Sequence, residues 1–511
     1  MYFNNKLIIA KSSEDFLSLN ANMLNRHGII TGASGSGKTV TMKVIAETLS
    51  SAGIPSIVMD IKGDLSGCTR VGEENENITK RIEKLSLNDI GYNLKKFPVR
   101  FWDVFGNNGT PLRITIKDMG PMLLTKVLGL SDAGEGILNI VFKIAEEEGH
   151  DLVDLKDLQS ILKYIADNAK ELQMTYGNIQ AVSVSTILRK LISIEQGDGT
   201  NLFGEPNLDI LDLLRTSEES GSGYINIIEC RELVKNPTLY ASLLVWLLQT
   251  FYEEMPEVGD LAKPKGVLFL DEAHLIFSEM SSEIIKKITQ IIKLIRSKGI
   301  SVFFISQSPA DIPDEILAQL GNRIQHCLRA YTPQELKAVK TAASTFRENP
   351  KLDTEQAILE LGTGEALVSF VDPEGLPSVV EKAKILPPQS YMGEITQEEL
   401  QETIRNSVMD TKYRNAVDRV SAYENIEEIN KKKAEEKAEL ERQKEEEKLN
   451  AIKAKEEEKL AKEREKQKAK EEKEKEKKRK ALLKPVKQIG NKVMNKATSK
   501  VVSSLFKNLF K

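Results

Sequence analysis

Apolar and polar positions divide the chain into three regimes. From Asn25 to about Pro387, short β-branched apolar runs alternate with amphipathic helical stretches. Such alternation predicts an α/β fold built on a mostly parallel sheet buried on both faces. The expected strands are Gly28–Thr31, Ser56–Ile61, Val99–Trp102, Tyr224–Ile228, Val267–Leu270, Ser301–Ser306 and Ile324–Leu328. A late hairpin is expected from Ala366–Val371 and Ser378–Ala383 around the turn residues Asp372-Pro-Glu-Gly375. Between Met122 and Leu214 the apolar spacing is helical, as in LQSILKYIADNAKEL, and predicts an α-helical insertion packed on one end of the sheet. Its Gly-rich breaks, Gly197-Asp-Gly199 and Gly204, read as loops.

The second regime begins after Thr396. Residues 431–480 are low in complexity, with 37 of 50 charged. Glu471→Lys475, Glu474→Lys478 and Glu476→Lys480 have the favourable i,i+4 order. Leu440, Leu449, Ile452 and Leu460 keep no heptad, so a solvated single helix or helical linker fits better than a coiled coil. In the third regime, residues 481–511, apolar residues return at helical spacing, with lysines on another face.

Charge sharpens this division. The net charge is −4. Residues 431–480 carry 21 Lys or Arg against 16 Asp or Glu, and 481–511 carry seven lysines and no acid, which leaves −16 on the rest. An acidic body argues against nucleic-acid binding driven by bulk charge, though not against a locally basic channel. Three cysteines in 511 residues exclude a disulfide scaffold, and no Cys-x-x-Cys pair points to zinc. A reducing, cytoplasmic setting is expected. The N-terminus has too short an apolar stretch for a signal peptide, and no run is long enough to span a membrane.

The strongest chemical signal is Gly32-Ala-Ser-Gly-Ser-Gly-Lys38-Thr39, a complete G-x-x-x-x-G-K-[ST] loop between an apolar run and a helical segment. Glycines let backbone amides wrap a phosphate, and the helix start favours the anion. The expected nucleotide contacts are Gly32, Ser34, Gly35, Ser36, Gly37, Lys38, Thr39 and Val40. Lys38 suits the β- and γ-phosphates, and the Thr39 hydroxyl suits Mg²⁺.

A second strand, Val267–Leu270, ends in Asp271 and Glu272. Carboxylates at a parallel strand's C-terminal end face the ligand crevice. Asp271 is the expected Mg²⁺ partner, and Glu272 the group that polarises an attacking water. Their alternative role is capping the next helix. Gln307 ends the strand Ser301–Ser306 and is expected near the γ-phosphate, with a plain loop glutamine as the alternative. Arg296 in IIKLIRSKG is the candidate arginine finger, with Arg323 and Arg329 as competitors and a helix-terminal cation as the alternative. Asp60 and Asp64 touch either the nucleotide site or a neighbour, or merely form a polar loop, and His274 either senses the nucleotide or packs at a helix start.

Together, Gly32–Thr39, LFLDEAH and FFISQSP resemble the FtsK–HerA superfamily of P-loop ATPases. DIKGDLSG, NLFGEPNLDILDLL, PTLYASLLVWLL, SQSPADIPDEILAQLGNRIQHCLRAYTP and GEALVSFVDPEGLPSVVEKAKILPP make the chain most similar to the bacterial HerA-like helicase C-terminal family, over about Lys6–Pro388. The resemblance implies a RecA-like ATPase core using ATP and Mg²⁺. It implies a ring, with a hexamer as the expected state and sites between subunits. It also implies that Gln307 couples hydrolysis to movement and that Arg296 acts on a neighbour's nucleotide. With only about 27 residues ahead of the phosphate loop in this sequence, the N-terminal β-barrel of HerA proper is not expected here.

The expected organisation is then a core in two parts, 1–121 and 215–395, with the insertion 122–214 between them. A charged helical linker, 396–480, and a basic amphipathic segment, 481–511, follow. Two function classes fit. One is a DNA translocase or helicase-like motor. The other is an ATPase switch or remodelling protein acting on protein partners or an anionic membrane through the basic tail.

Overall fold

The computed structural model describes residues 1–196, 199–259 and 261–493, with the side chains of Glu279 and of residues from 482 onward excepted. The expected amphipathic faces of 481–511 therefore lie outside the described residues, as do Gly197 and Asp198 of the expected loop. The chain forms two units, Met1–Ile426 and Glu427–Lys511.

Among the described residues, thirteen strands form one sheet. In chain order they are β1 (Tyr2–Phe3), β2 (Lys6–Lys11), β3 (Phe16–Leu19), β4 (Gly28–Thr31), β5 (Ser56–Asp60), β6 (Val99–Asp103), β7 (Thr110–Pro111), β8 (Ile225–Glu229), β9 (Gly266–Leu270), β10 (Ile300–Ser306), β11 (Asn322–Gln325), β12 (Glu365–Ser369) and β13 (Glu381–Ile385). Their order across the sheet is β1-β2-β13-β12-β11-β4-β10-β9-β5-β8-β6-β7, with β3 beside β2. From β11 to β7 every pairing is parallel. From β11 outward through β12, β13 and β2 every pairing is antiparallel.

The central strands are continuous apolar runs because both sheet faces are covered. Successive residues serve opposite cores. Ile29, Met59, Leu268 and Phe304 join one core, while Ile30, Val58, Phe269 and Phe303 join the other. The first core takes in the helices Asp132–Glu148, Leu155–Asp167, Ala181–Glu195, Pro237–Glu254 and Ser282–Ile295. The second takes in the helix Lys38–Ser51 through Met42, Ile45 and Leu49.

Two differences from the sequence-based expectation have physical causes. The strand expected at Ile324–Leu328 is β11, Asn322–Gln325, because Asn322 pairs with Gly28 while His326 and Cys327 leave the ladder for the loop after β4. The N-terminal strands lie outside the expected set. Leu7, Ile8, Ile9 and Ala10 are all buried, yet β2 joins the main sheet only through β13, by Ala10↔Ile385 and Lys11↔Lys384.

The last described helix is Ala422–Val493. Beyond residue 426 its ordered pairs are i,i+4, including Glu428–Lys432 at 2.7 Å and Glu476–Lys480 at 3.3 Å. Leu440, Leu449, Ile452 and Leu460 are each about half exposed. Among the described residues, no helix is long and apolar enough to cross a membrane.

Candidate nucleotide-binding site

β4 ends at Thr31, and the chain turns through Gly32–Gly37 into the helix Lys38–Ser51. Two glycines are required by geometry. Gly37 caps the helix at φ +116°, and a Cβ on Gly32 would lie 2.5 Å from the Cβ of His326. Ser34 and Gly35 are exposed at the tip of the loop, while Thr39 and Val40 are half-buried at the helix start. Lys38 Nζ folds back onto the loop and donates to the carbonyls of Gly32 (2.7 Å) and Ala33 (3.2 Å). Burial, then the nearby Lys62 charge, holds this ammonium below its ordinary range, with Glu272 and Asp271 acting in opposition.

Only β10 separates β4 from β9, so the loop and the β9 acids lie about 10 Å apart on one sheet edge. Asp271 is buried, and neither carboxylate oxygen has a hydrogen-bond partner. Burial pushes its carboxyl up, against the opposing charge of Lys62. Glu272 takes the left-handed conformation at φ +47° and is also buried. Lys62 Nζ pairs with Glu272 and lies 3.9 Å from Asp271. Burial disfavours the Lys62 charge, but the two carboxylates outweigh it and hold the ammonium above its ordinary range. His274 Nδ1 lies 3.2 Å from Glu272.

Four neighbouring parallel strands end in acids: Asp103 after Trp102, Glu229 after Ile228, Asp60 after Met59 and Asp271 after Leu270. Three of them are already engaged. Asp60 accepts from the amides of Lys62, Gly63 and Leu65. Asp103 accepts from Phe105, Asn107 and Asn108, and Glu229 pairs with Arg231. Burial raises Asp60 to about 6, with the Gly63 amide opposing. Asp60 thus shapes the turn that carries Lys62 to the β9 acids. Of these four, Asp271 alone keeps free oxygens, the donor type that a hard cation selects, so Asp271 with the Thr39 hydroxyl fits Mg²⁺.

Gln307 is exposed and leaves β10 between the loop and Asp271. Arg296 is not brought to this site. It precedes β10, at the opposite end of a strand about 20 Å long. Arg323 is spent on the carbonyls of Leu317, Leu320 and Thr345, and Arg329 is exposed.

Three further residues belong to the site without a sequence signal of their own. Lys62 sits inside the DIKGD motif, yet nothing local marks its partners. His326 lies under the loop, accepting from the Thr41 hydroxyl (2.8 Å) and donating to Glu365 O (2.9 Å). Burial lowers it to about 4, so it is neutral. Arg81 donates to the carbonyls of Gly364 and Ile385 beside the loop.

A family model described as helicase HerA-like C-terminal matches residues 5–511. The DNA double-strand break repair helicase HerA of Sulfolobus acidocaldarius is 22% identical over 360 residues, covering 69% of this chain and 64% of that protein. The chain therefore spans less than two thirds of the length of that relative. Among solved structures, VirB4 of Thermoanaerobacter pseudethanolicus is similar at 16% identity and TM-score 0.46, over 75% of this chain and 97% of that one. The plasmid coupling protein TrwB in complex with ADP and Mg²⁺ is similar at 14% identity and TM-score 0.43, over 74% and 88%.

Proposed function

The chain belongs to the helicase HerA-like C-terminal family, and on that premise we propose that it is a Mg²⁺-dependent ATPase motor of the HerA/FtsK type. It works as a ring, with a hexamer as the expected state, in the cytoplasm, and it moves DNA. The observation that carries the chemistry is the buried Asp271 carboxylate without hydrogen-bond partners, two strands from a complete phosphate loop.

Each residue then has a role. The amides of Gly32–Thr39 and Val40 hold the phosphates. Lys38 exchanges the carbonyls of Gly32 and Ala33 for the β- and γ-phosphates. Thr39 and Asp271 hold Mg²⁺, which when bound offsets phosphate charge. Glu272 takes the proton of the attacking water as the new bond to the γ-phosphorus forms and the bridging bond breaks. Lys62 holds the Glu272 carboxylate in an ion pair beforehand and is freed toward the γ-phosphate when substrate arrives. Gln307 orients the water, and Arg296 is offered to a neighbouring subunit.

The test is nucleotide binding and phosphate release, with and without single- and double-stranded DNA. Lys38→Ala is expected to lose binding. Glu272→Gln is expected to bind ATP and hydrolyse it roughly 10²–10⁴-fold more slowly. Hydrolysis by Glu272→Gln at the parent rate sinks the assignment. A second reading, a switch acting on protein partners or an anionic membrane, rests on the seven lysines of 481–511. Stimulation by DNA that falls steeply with salt separates the two.

A further inference from the structure

A phosphate loop explains how a triphosphate is held but not how a nucleoside is chosen. Beside the start of the helix Lys38–Ser51, a cavity of about 610 Å³ opens against Gly37, Val40 and Thr41. That volume is within the range of small-molecule sites. The far wall is the segment after β13, where Leu386, Pro387, Pro388 and Met392 present an apolar surface. The helix Glu76–Lys84 closes the third side with Ile78 and Arg81. Asparagines and a threonine supply the other polar groups, and among the described residues no carboxylate lines the cavity. The lining thus offers apolar faces, amide edges and one positive charge. A flat heterocycle joined to a polyanion needs that combination.

The walls are held in advance. The Arg81 guanidinium donates from Nη2 to Gly364 O (2.6 Å) and Ile385 O (2.7 Å), and from Nε to Ile385 O (3.0 Å). Its plane is therefore fixed, which suits stacking on an aromatic ring. Gly364 also donates its amide to Ser36 O at 3.3 Å, which ties Arg81 to the phosphate loop through one residue. The far wall is latched to the phosphate-loop helix itself. Buried Glu47 in that helix accepts from the amides of Gln389 (2.7 Å) and Ser390 (3.1 Å). Tyr92 donates to Pro387 O and Pro388 O. A pocket fixed before binding spends little free energy on ordering.

We propose that this cavity takes the nucleoside of the triphosphate, between the Val40–Ile78 side and the Pro387–Met392 wall, with Arg81 as the residue that stacks on the base. The inference rests on the phosphate-loop reading and extends it from the phosphates to the base. Met392, half exposed at the mouth, is the natural reporter position.

The test uses the full chain, with ATP and inorganic tripolyphosphate as probes. In the Met392→Trp variant, saturating ATP is expected to change tryptophan emission, whereas saturating tripolyphosphate is not. Native Trp102 and Trp246 are buried and serve as the constant background in the parent protein. In Arg81→Ala, calorimetry is expected to show ATP affinity reduced roughly tenfold or more, with tripolyphosphate affinity within about twofold of the parent. If ATP binds without altering the emission of Met392→Trp, the nucleoside lies elsewhere and the proposal is overturned, whether or not Arg81→Ala folds. Equal parent affinity for ATP and tripolyphosphate overturns it as well. If the parent binds neither probe, the phosphate-loop reading itself fails, and this proposal with it.

Discussion

Lys62 stands between two buried acids and a buried lysine, and its charge sets the resting electrostatics of the site. Asp271 is already pushed up by burial, and Lys62 is the largest opposing influence. Removing that cation must push the carboxyl further up. In Lys62→Met, the acid limb of the ATPase pH profile is therefore expected to move to higher pH, because cation binding needs the ionised carboxylate. A profile that keeps its acid limb and loses only amplitude would leave Lys62 a mere spacer. The residues proposed to carry chemistry are legible from spacing alone: Lys38, Thr39, Asp271 and Glu272 each stand at a fixed offset from an apolar run. Lys62 is not legible as their partner, because a lysine after a polar turn looks the same whether it meets water or Glu272.

At the scale of elements, two buried neutral histidines fasten the strands around the loop. His27 precedes β4, accepts at Nδ1 from the Val302 amide (3.1 Å) and donates from Nε2 to Ile292 O (3.0 Å). Burial lowers both His27 and His326 to about 4. Below about pH 6.5 the unfolded chain binds protons that the folded one refuses, so this stability is present above that pH and is lost as pH falls toward 4. Each histidine contributes a loss of roughly 2 kcal/mol between pH 7 and 5. Asp60, raised to about 6, acts in the opposite sense, favouring the fold as pH falls below that value. The comparison of variants isolates the histidine effect. His326→Gln is expected to be less stable than the parent in urea at pH 7, with the gap narrowing at pH 5. A constant gap would show that His326 is not held neutral. The expected strands and the late hairpin are recovered to within a few residues, since each is a local apolar run between turn residues. β1–β3 escape a local reading because LIIA is too short to mark a strand without β13.

For the whole molecule, the decisive fact is that Arg296 lies at the opposite sheet edge from the phosphate loop of its own chain. A finger role then requires a second copy, whose edge faces this one in a head-to-tail arrangement. Arg296→Ala and Lys38→Ala subunits are each expected to be inactive alone and to regain ATPase activity when mixed, because a mixed interface pairs an intact loop with an intact arginine. Mixing without rescue would remove Arg296 from catalysis and leave it a cation at a helix end. The helix Ala422–Val493 is legible at this scale, because i,i+4 pairing needs no partner outside the helix.

Local chemistry was enough to mark the apolar runs, the glycine loop, the acids at strand ends and the charged helix, because each depends on residues a few positions apart. Tertiary structure alone decided which strand ends become neighbours. That ordering left Asp271 without hydrogen-bond partners while Asp60, Asp103 and Glu229 found theirs. It brought Lys62 to Glu272, set His326 beneath Gly32, and folded Pro387–Met392 across the helix that begins at Lys38. These relations join residues tens to hundreds of positions apart. They exist only once a sheet has chosen its order, a choice made by the summed burial of two faces rather than by any single motif.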